Sequence, residues 1–151
     1  MRLSLIHRAW LFLIHFERRI IIHTYHDKDS LKPKELKDLI TKTLDAEKAG
    51  NVLCIPLAEK SAIADYMVIA SGTSSRHVGG LARKLQEKLH QNGIKQVNME
   101  GMAQCDWVVL DAGDVIVHLF RPEVREFYNI EKMWCHPPQN VNVEDVGKIK
   151  A

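Results

Sequence analysis

The chain has 151 residues, of which 46% are hydrophobic and 26% are charged. This composition is typical of one globular domain and excludes a disordered chain. The net charge of +2 is carried by residues 1–30, which hold five Lys and Arg against three Asp and Glu, whereas residues 31–151 hold sixteen of each. A neutral body argues against a dedicated nucleic-acid binder, although it leaves room for a locally basic patch.

Cysteine usage and hydropathy exclude two further classes of protein. Cys54, Cys105 and Cys135 are far apart and form no CxxC pair. This argues against a disulfide scaffold or a zinc finger, and it fits a reducing compartment. No run of about 18 uncharged apolar residues is present, so the sequence predicts no membrane-spanning helix.

The first 26 residues have the pattern of a basic amphipathic helix. His7 and Arg8 interrupt the apolar run and no small-residue cleavage site follows, which argues against a secretory signal peptide. We interpret the segment as an organelle-targeting presequence or a membrane-surface helix. The alternatives are a non-native N-terminal extension and a helix that packs on the body or on a second copy. A presequence would move the protein from the bacterial cytoplasm to a mitochondrial or plastid matrix.

The first predicted helix follows a polar linker at residues 27–33. It covers Lys34–Ala49, with Pro33 in its first turn and Gly50 as its C-terminal cap. Two short apolar strands are predicted next, Val52–Leu57 and Tyr66–Ala70.

The second predicted helix follows the loop 71–75, which suits an N-cap, and runs to about Gln91 before Gly93 closes it. Gly79 and Gly80 in its first turns each cost about 1 kcal/mol relative to Ala, which indicates either close packing or tolerated drift. One face is apolar, and the other carries basic side chains in a pattern typical of a solvated face: Arg76, Arg83, Lys84 and Lys88.

The most informative segment is Trp107–Phe120, in which two apolar runs flank the sequence Asp-Ala-Gly-Asp at 111–114. It predicts a β-hairpin with Ala112 and Gly113 at the turn. The expected cross-strand partners are Asp111 with Asp114, Val109 with Ile116, and Trp107 with His118.

Strand alternation sorts this hairpin into two faces. One is wholly aliphatic and is predicted to be core: Val108, Leu110, Val115, Val117 and Leu119. The other mixes aromatic, aliphatic and acidic groups, which is typical either of a protein-binding patch or of a face that a helix covers except at its polar end. It holds Trp107, Val109, Asp111, Asp114, Ile116, His118 and Phe120.

A third strand, Ile94–Met99, precedes the hairpin, and Pro122 begins a final helix that runs to about Trp134, with Asn129 as a candidate break. The order of elements predicts an α/β (α+β) fold with a mixed five-stranded sheet flanked by helices. Residues 136–151 lack periodicity and are predicted to be a flexible tail. The apolar residues of the final helix are Val124, Phe127, Tyr128, Ile130, Met133 and Trp134.

No set of residues indicates an active enzyme, a metal or a cofactor. The run Gly72–Ser75 before a helix is a weak phosphate-cradle pattern that matches neither a Walker A nor a GxGxxG motif. Asp111 and Asp114 are a candidate pair of ligands for a divalent metal, but they lie across a tight turn, where Asp is common for conformational reasons. Two further sets have no recognised spacing: His118 with Cys135 and His136 for a soft metal, and Ser71, His118 and Asp65 for nucleophilic catalysis.

Three blocks of sequence occur in a specific order: 64–78 (ADYMVIASGTSSRHV), Glu100-Gly101 followed by 107–118 (WVVLDAGDVIVH), and 122–134 (PEVREFYNIEKMW). Together they resemble the ribosomal silencing factor family, also called Iojap or RsfS, over about residues 34–135. The resemblance implies a fold related to the nucleotidyltransferases. The Gly-Ser and Asp-x-Asp pattern of an active nucleotidyltransferase is missing, so a nucleotide-binding or nucleotidyl-transferring enzyme on the same fold is only the alternative function.

The resemblance implies a translational repressor with no enzymatic activity that acts when nutrients are scarce. Such a protein binds the large ribosomal subunit on its fourteenth protein, at the face that meets the small subunit, and blocks subunit joining by steric exclusion. Homodimers are also implied. The expected domain organisation is a basic extension over 1–30, a silencing factor domain over 31–135 and a tail over 136–151.

The partner-binding site implied by the resemblance coincides with the mixed face of the hairpin. Acidic side chains there would complement a Lys- and Arg-rich ribosomal protein, and Trp107 would be the desolvated anchor. Alternatives remain on the final helix, where Arg125 can instead pair with Glu131 and Tyr128 can be core. The expected site residues are Trp107, Val109, Asp111, Asp114, Ile116 and His118, with Arg125, Tyr128 and Glu131 as weaker candidates.

Overall fold

The computed structural model describes residues 31–58 and 61–135. Helix α1 (Pro33–Ala46) begins at a proline, whose fixed φ suits a first helical turn. Helix α2 (Ser75–Gln91) begins after the Ser74 N-cap, whose hydroxyl accepts a hydrogen bond from the His77 amide. None of these helices is long and apolar enough to cross a membrane. The elements are α1 (Pro33–Ala46), β1 (Gly50–Pro56), β2 (Tyr66–Ser71), α2 (Ser75–Gln91), β3 (Asn98–Glu100), β4 (Trp107–Asp111), β5 (Val115–Phe120), α3 (Pro122–Tyr128) and α4 (Glu131–Cys135).

The sheet is five-stranded and mixed, as the sequence predicts. Its strand order is β1-β2-β5-β4-β3, with β2 and β5 parallel and the other neighbours antiparallel. Main-chain hydrogen bonds extend the β2–β5 pairing beyond both ends of the two strands. The carbonyl of Asp114 accepts from the Asp65 and Tyr66 amides, and the Gly72 amide donates to the carbonyl of Phe120.

Helices cover both faces of this sheet. Lys37 of α1 lies 5.7 Å over the ring of Tyr66, and Tyr66 pairs with Val115, which places α1 on the aliphatic face of the hairpin. Tyr128 of α3 contacts Trp107 on the opposite face. The aliphatic face is core, as predicted, because all five of its hairpin residues are fully buried: Val108, Leu110, Val115, Val117 and Leu119.

The hairpin register differs from the prediction by two residues. The Ala112 amide donates to the Val115 carbonyl, so Gly113 and Asp114 occupy the turn. Gly113 has a φ of 85°, the left-handed conformation that glycine adopts readily at the first position of such a turn. The observed pairs are Trp107 with Phe120, Val109 with His118, and Asp111 with Ile116. Because the displacement is even, every side chain within β4 and β5 keeps its predicted face, whereas Asp114 moves from the predicted strand into the turn.

Two element boundaries also differ from the prediction. Gly50 does not cap α1, because the helix ends at Ala46 and Lys48 takes the left-handed conformation instead, with a φ of 60°. The third strand does not begin at Ile94, because the Ile94 amide still donates to the carbonyl of Leu89 at the end of α2. In the final helical segment, Asn129 is left-handed with a φ of 41° and separates α3 from α4.

The two adjacent glycines of α2 have different environments. A Cβ added to Gly79 would lie 2.9 Å from the Cys105 sulfur, so close packing explains this glycine. A Cβ added to Gly80 would meet nothing within 4 Å. Nothing inside the described part of the chain therefore requires glycine at position 80.

We expect Gly80→Ala to raise the free energy of unfolding by about 1 kcal/mol, because alanine loses less backbone entropy in a helix. Gly79→Ala should lack this gain, because its methyl group collides with the Cys105 sulfur. Urea denaturation of the two variants measures the difference. Combining Gly79→Ala with Cys105→Ala should recover stability, and equal effects of the two single variants would contradict the packing argument.

Candidate functional site

The mixed face of the hairpin lies deeper in the molecule than a partner-binding patch would. Val109, Ile116 and His118 are only 6%, 5% and 7% exposed, and Phe120 is fully buried. Trp107, Asp111 and Asp114 are half-buried. The first group therefore lies beneath the surface, and only the second has side-chain atoms partly open to solvent.

Five aromatic rings form a continuous aromatic cluster at the open end of the hairpin. Trp107 is its centre, with ring centroids 5.0 Å from Phe120, 5.0 Å from Tyr128 and 6.0 Å from His118. Phe127 extends the cluster outward, in an edge-on contact 5.1 Å from Tyr128. Such contacts each contribute about 1 kcal/mol beyond buried area, so the cluster is a rigid unit.

A hydrogen bond fixes the orientation of Trp107. Its indole Nε1–H donates to Nδ1 of His118 over 3.1 Å, a diagonal contact between strands. The imidazole accepts at Nδ1 and is therefore neutral there. Burial lowers the pKa of His118 to about 4, because a charged imidazole would lose its hydration.

Arg125 fastens α3 and α4 to the sheet. Its guanidinium donates to the Asn51 carbonyl at 2.8 Å, to the Ser71 hydroxyl at 2.9 Å and to the Glu131 carboxylate. The Arg125 side chain is 13% exposed. Its role is thus to position α3, which carries Tyr128 and Phe127, and this agrees with the alternative in which Arg125 pairs with Glu131.

The opposite end of the hairpin forms an acidic turn, residues 111–114. Oδ1 of Asp111 accepts from the Gly113 amide over 2.9 Å, so its carboxylate stabilises the turn. Asp114 instead uses its carbonyl, which binds the start of β2. Exposed Glu100 on β3 pairs with Val109 and adds a third acidic group on this face. Both turn carboxylates remain partly open to solvent.

Gly101 sets the start of β4, on which Trp107 lies. It has a φ of 88°, and a Cβ there would lie 2.0 Å from the Trp107 carbonyl oxygen. Next to it, the Asp106 carboxylate accepts from Arg121 at 3.1 Å and from the Ser75 hydroxyl at 3.3 Å. These contacts join the beginnings of β4, α2 and α3 at the aromatic end of the sheet.

The structure does not bring together the residues of the catalytic site and the phosphate-binding site that the sequence suggests as alternatives. Asp65 and Ser71 lie at opposite ends of β2, about 20 Å apart at 3.3 Å per residue. In the loop before α2, the Gly72 amide donates to Phe120 and the Thr73 amide to Nδ1 of His77. These amides are thereby occupied and do not form a phosphate cradle.

No group of three His, Cys, Asp or Glu side chains within 31–58 and 61–135 is placed to hold a metal ion. His136, which the sequence suggests as a soft-metal ligand with His118 and Cys135, lies outside the described residues. The same is true of the presequence interpretation of residues 1–26 and of the tail 136–151.

Sequence reasoning missed two residues of this region. Phe127 and Met133 are assigned to the apolar side of the final helix, yet they are 76% and 65% exposed. Neither α3 nor α4 has a buried residue. The break at Asn129 is the signal that could have found them, since two helices of seven and five residues cannot bury one continuous apolar stripe.

Comparison with known proteins gives this architecture a family. The family described as "Ribosomal silencing factor during starvation" (RsfS) matches residues 30–151. The chain belongs to this family. The match continues past residue 135 and includes the segment that the sequence analysis sets apart as a tail.

Relatives in this family come from bacteria and eukaryotes. A ribosomal silencing factor RsfS of Zymomonas mobilis is 52% identical over 108 residues, which cover 72% of this chain and 81% of that protein. The RsfS of Bacillus subtilis is 33% identical over 108 residues, 72% of this chain and 92% of that protein. A mouse protein named "Mitochondrial assembly of ribosomal large subunit protein 1" is 34% identical over 64% of this chain and 44% of its own length.

Solved structures share the fold of this RsfS family member. A crystal structure of a Chromobacterium violaceum protein is 33% identical and superposes with a TM-score of 0.68, covering 72% of this chain and 92% of that one. A Bacillus halodurans protein is 34% identical with a TM-score of 0.61, covering 67% and 94%. These values agree with the α+β architecture described above.

The burial of His118 predicts an acid-dependent loss of stability. An unfolded histidine titrates near 6.5, whereas the folded one titrates at about 4. Between these values the unfolded chain binds the proton and the folded chain does not, so the free energy of unfolding falls as pH falls from 6.5 to 4. The loss from this group is about 3 kcal/mol at most. Above pH 6.5 the contribution of His118 to the free energy of unfolding is constant.

Urea denaturation at several pH values measures this dependence. His118→Gln retains an acceptor for the indole N–H and cannot ionise, so its stability should vary less between pH 6.5 and 4 than that of the natural chain. His90→Gln, at an exposed position of α2, is the matched control and should keep the dependence. An unchanged pH profile for His118→Gln would show that another group is responsible.

We expect Arg125→Met to lower the free energy of unfolding by about 2 kcal/mol, because it leaves Glu131, Ser71 and the Asn51 carbonyl without their charged donor. Amide hydrogen exchange in residues 122–128 should accelerate. Arg121→Met is the control, since its ion pairs with Asp106 and Glu123 are more exposed and should therefore contribute less to the free energy of unfolding. Equal losses in the two variants would argue against Arg125 as the fastening residue.

Proposed function

We propose that the chain represses translation by binding the large ribosomal subunit at the face that meets the small subunit, so that the bound protein blocks subunit joining by steric exclusion. The partner is the fourteenth protein of the large subunit, as the sequence resemblance implies. Membership of the RsfS family supports a ribosomal role. The name of the mouse relative, which refers to assembly of the large subunit, supports this subunit as the target.

One observation carries the proposal for the site. The aromatic cluster runs without interruption from fully buried Phe120, through Trp107 and Tyr128, to Phe127, which is 76% exposed. An exposed ring that is backed by a rigid buried cluster loses little conformational entropy on binding, which is a property of interface hot spots. The isolated chain gains nothing from exposing this ring, whereas a bound partner would remove it from water.

The acidic turn adds charge to the same face. Asp111 lies about 13 Å from Trp107 along β4, counted at 3.3 Å per residue, and Asp114 follows it in the turn. This span fits within an interface of ordinary size. Ribosomal proteins are rich in Lys and Arg, so two partly exposed carboxylates complement such a partner and favour fast encounter. We therefore define the docking surface as Phe127, Tyr128 and Trp107 of the aromatic cluster together with the acidic turn.

Two roles at this site follow from burial. Trp107, Tyr128, Asp111 and Asp114 offer partly exposed atoms to the partner. Val109, Ile116 and His118 hold the hairpin in shape beneath it, and Arg125 with Glu131 holds α3. We propose direct contact for the first group and positioning for the second.

The proposed compartment rests on the relatives of the chain. Bacterial relatives dominate the matches described above, and we propose the bacterial cytoplasm, with a mitochondrial or plastid matrix as the alternative if residues 1–26 are a presequence. A second copy of the chain is the alternative occupant of the docking surface, since the resemblance also implies homodimers.

The proposed contact predicts that Phe127→Ser abolishes co-sedimentation with purified large subunits while the fold is retained, because this side chain buries little in the free chain. Loss of a hot-spot aromatic costs about 2 kcal/mol or more, some thirtyfold in affinity. Phe127→Leu keeps an apolar side chain and should lose less. Circular dichroism checks the fold, and unchanged binding by folded Phe127→Ser would remove Phe127 from the site.

The acidic turn is tested with isosteric variants. The double variant Asp111→Asn and Asp114→Asn keeps an oxygen that can accept from the Gly113 amide, so the turn should remain intact while its charge is lost. Binding should weaken, most strongly at low salt. Asp45→Asn, at an exposed position of α1, is the charge-matched control.

A sucrose-gradient assay of subunit joining tests the mechanism itself. Adding the natural chain to separated subunits should reduce the peak of joined ribosomes, and Phe127→Ser should not. Normal joining in the presence of bound natural chain would contradict steric exclusion. Sedimentation of Phe127→Ser alone tests the dimer alternative: a monomer that still binds large subunits would assign the ring to self-association.

A further inference from the structure

A basic stripe lies on the outward side of α2 and belongs to no site described above. Arg76, Gly80 and Arg83 are spaced four and three residues apart, which places them in one row along the helix. All three are exposed. The row is about 10 Å long at 1.5 Å per residue. We call these three residues the α2 stripe.

The arginines of the α2 stripe have no acidic partner within the described residues. By contrast, Lys84 on the same helix pairs with Glu87 at 3.2 Å. The first turn of α2 contains no acidic residue, and Arg76 lies in that turn, where the helix macrodipole disfavours a cation. Helix stability therefore does not explain Arg76.

Gly80 lies between the two arginines without a structural reason. It has open space around it, in contrast to Gly79, which packs on Cys105. A glycine in a helix interior is destabilising relative to alanine, but it allows another molecule to approach the helix backbone closely. The α2 stripe thus combines a gap that a partner can enter with two cations that no acidic side chain of the described residues pairs.

The position of α2 connects this stripe with the docking surface. The Ser75 hydroxyl, at the start of α2, hydrogen-bonds the Asp106 carboxylate at 3.3 Å, immediately before Trp107. Arg76 therefore lies at the aromatic end of the sheet. A large partner that covers this end can continue onto Arg76 and Arg83.

We propose that the α2 stripe binds the phosphate backbone of ribosomal RNA beside the protein partner, as a second contact on the large subunit. Guanidinium groups match phosphate oxygens in geometry and charge, and a row of cations with a side-chain-free gap suits a continuous polyanion. Two arginine–phosphate contacts add to the binding of the protein partner and do not require a basic protein. This agrees with the neutral charge of residues 31–151. The proposal rests on the ribosomal function proposed above.

The test is the salt dependence of binding by the full chain to purified large subunits. Each phosphate contact contributes about 0.7 to 0.9 to the slope of log affinity against log salt. The double variant Arg76→Gln and Arg83→Gln should therefore have a slope smaller by about 1.5. The double variant Lys34→Gln and Lys42→Gln, at exposed positions of α1, is the matched control and should leave the slope unchanged.

A second variant separates a binding defect from a folding defect. Gly80→Gln fills the gap in the stripe, so it should weaken subunit binding severalfold. The same change should raise the thermal unfolding temperature, because the position has open space and glutamine is a better helix former than glycine. A purely structural role for Gly80 would not give this opposite pair of effects.

The outcomes distinguish this proposal from the function on which it rests. If the natural chain binds large subunits and the stripe variants retain its slope and affinity, the RNA contact is wrong and the docking proposal stands. If the natural chain does not bind large subunits, both fail. A mixed-sequence RNA duplex serves as the isolated probe: stripe variants that lose subunit affinity but bind the duplex as the natural chain does would assign the stripe to an acidic protein and overturn the RNA contact.

Discussion

The burial of β5 on both of its faces is the constraint on which the rest of the structure depends. All six of its residues are buried, between parallel β2 on one side and antiparallel β4 on the other. A polar side chain in such a strand must have its hydrogen bonds satisfied within the protein. His118 is that side chain, and the indole of Trp107 is its partner. The orientation of Trp107, and with it the aromatic cluster, therefore follows from the interior of the sheet.

The two ends of the hairpin carry two different kinds of surface. The turn of the hairpin projects carboxylates, and the open end projects aromatic rings together with the beginnings of α2 and α3. Because main-chain bonds close the β2–β5 pairing at both ends, the distance between these surfaces is fixed. A partner must therefore match both ends at once, which favours selection by geometry and charge over adhesion to any apolar surface.

Much of the fold could be predicted from the sequence, because alternation in the hairpin and periodicity in α2 are strong, local signals. The hairpin register could not, since Ala112-Gly113 and Gly113-Asp114 are both plausible turn residues and only the Ala112–Val115 hydrogen bond decides between them. The predicted faces of the strand residues are correct because an even displacement preserves them. The capping position after α1 was wrong for a related reason, since Lys48 rather than Gly50 takes the left-handed conformation.

The candidate site was predictable only in part. The mixed face correctly indicates that the hairpin has two different sides, but alternation does not report depth, and the burial of Val109, Ile116 and His118 depends on tertiary packing. Conversely, Phe127 has the periodicity of a core residue. Its exposure follows from the short length of α3 and from the break at Asn129, which together prevent the helix from turning that residue inward.

One consequence concerns aggregation. Strand β1 is an edge strand of the described sheet. A flat edge strand is a template to which another chain can add a strand. The pairing of β1 is irregular between Gly50 and Leu53, with Asn51 at a φ of 47°, and the Arg125 guanidinium occupies the Asn51 carbonyl. A bulged edge strand with one carbonyl already hydrogen-bonded is a poor template. The residue that fastens α3 thus also protects the sheet against unwanted strand addition, so the loss of Arg125 should expose the protein to self-assembly through β1.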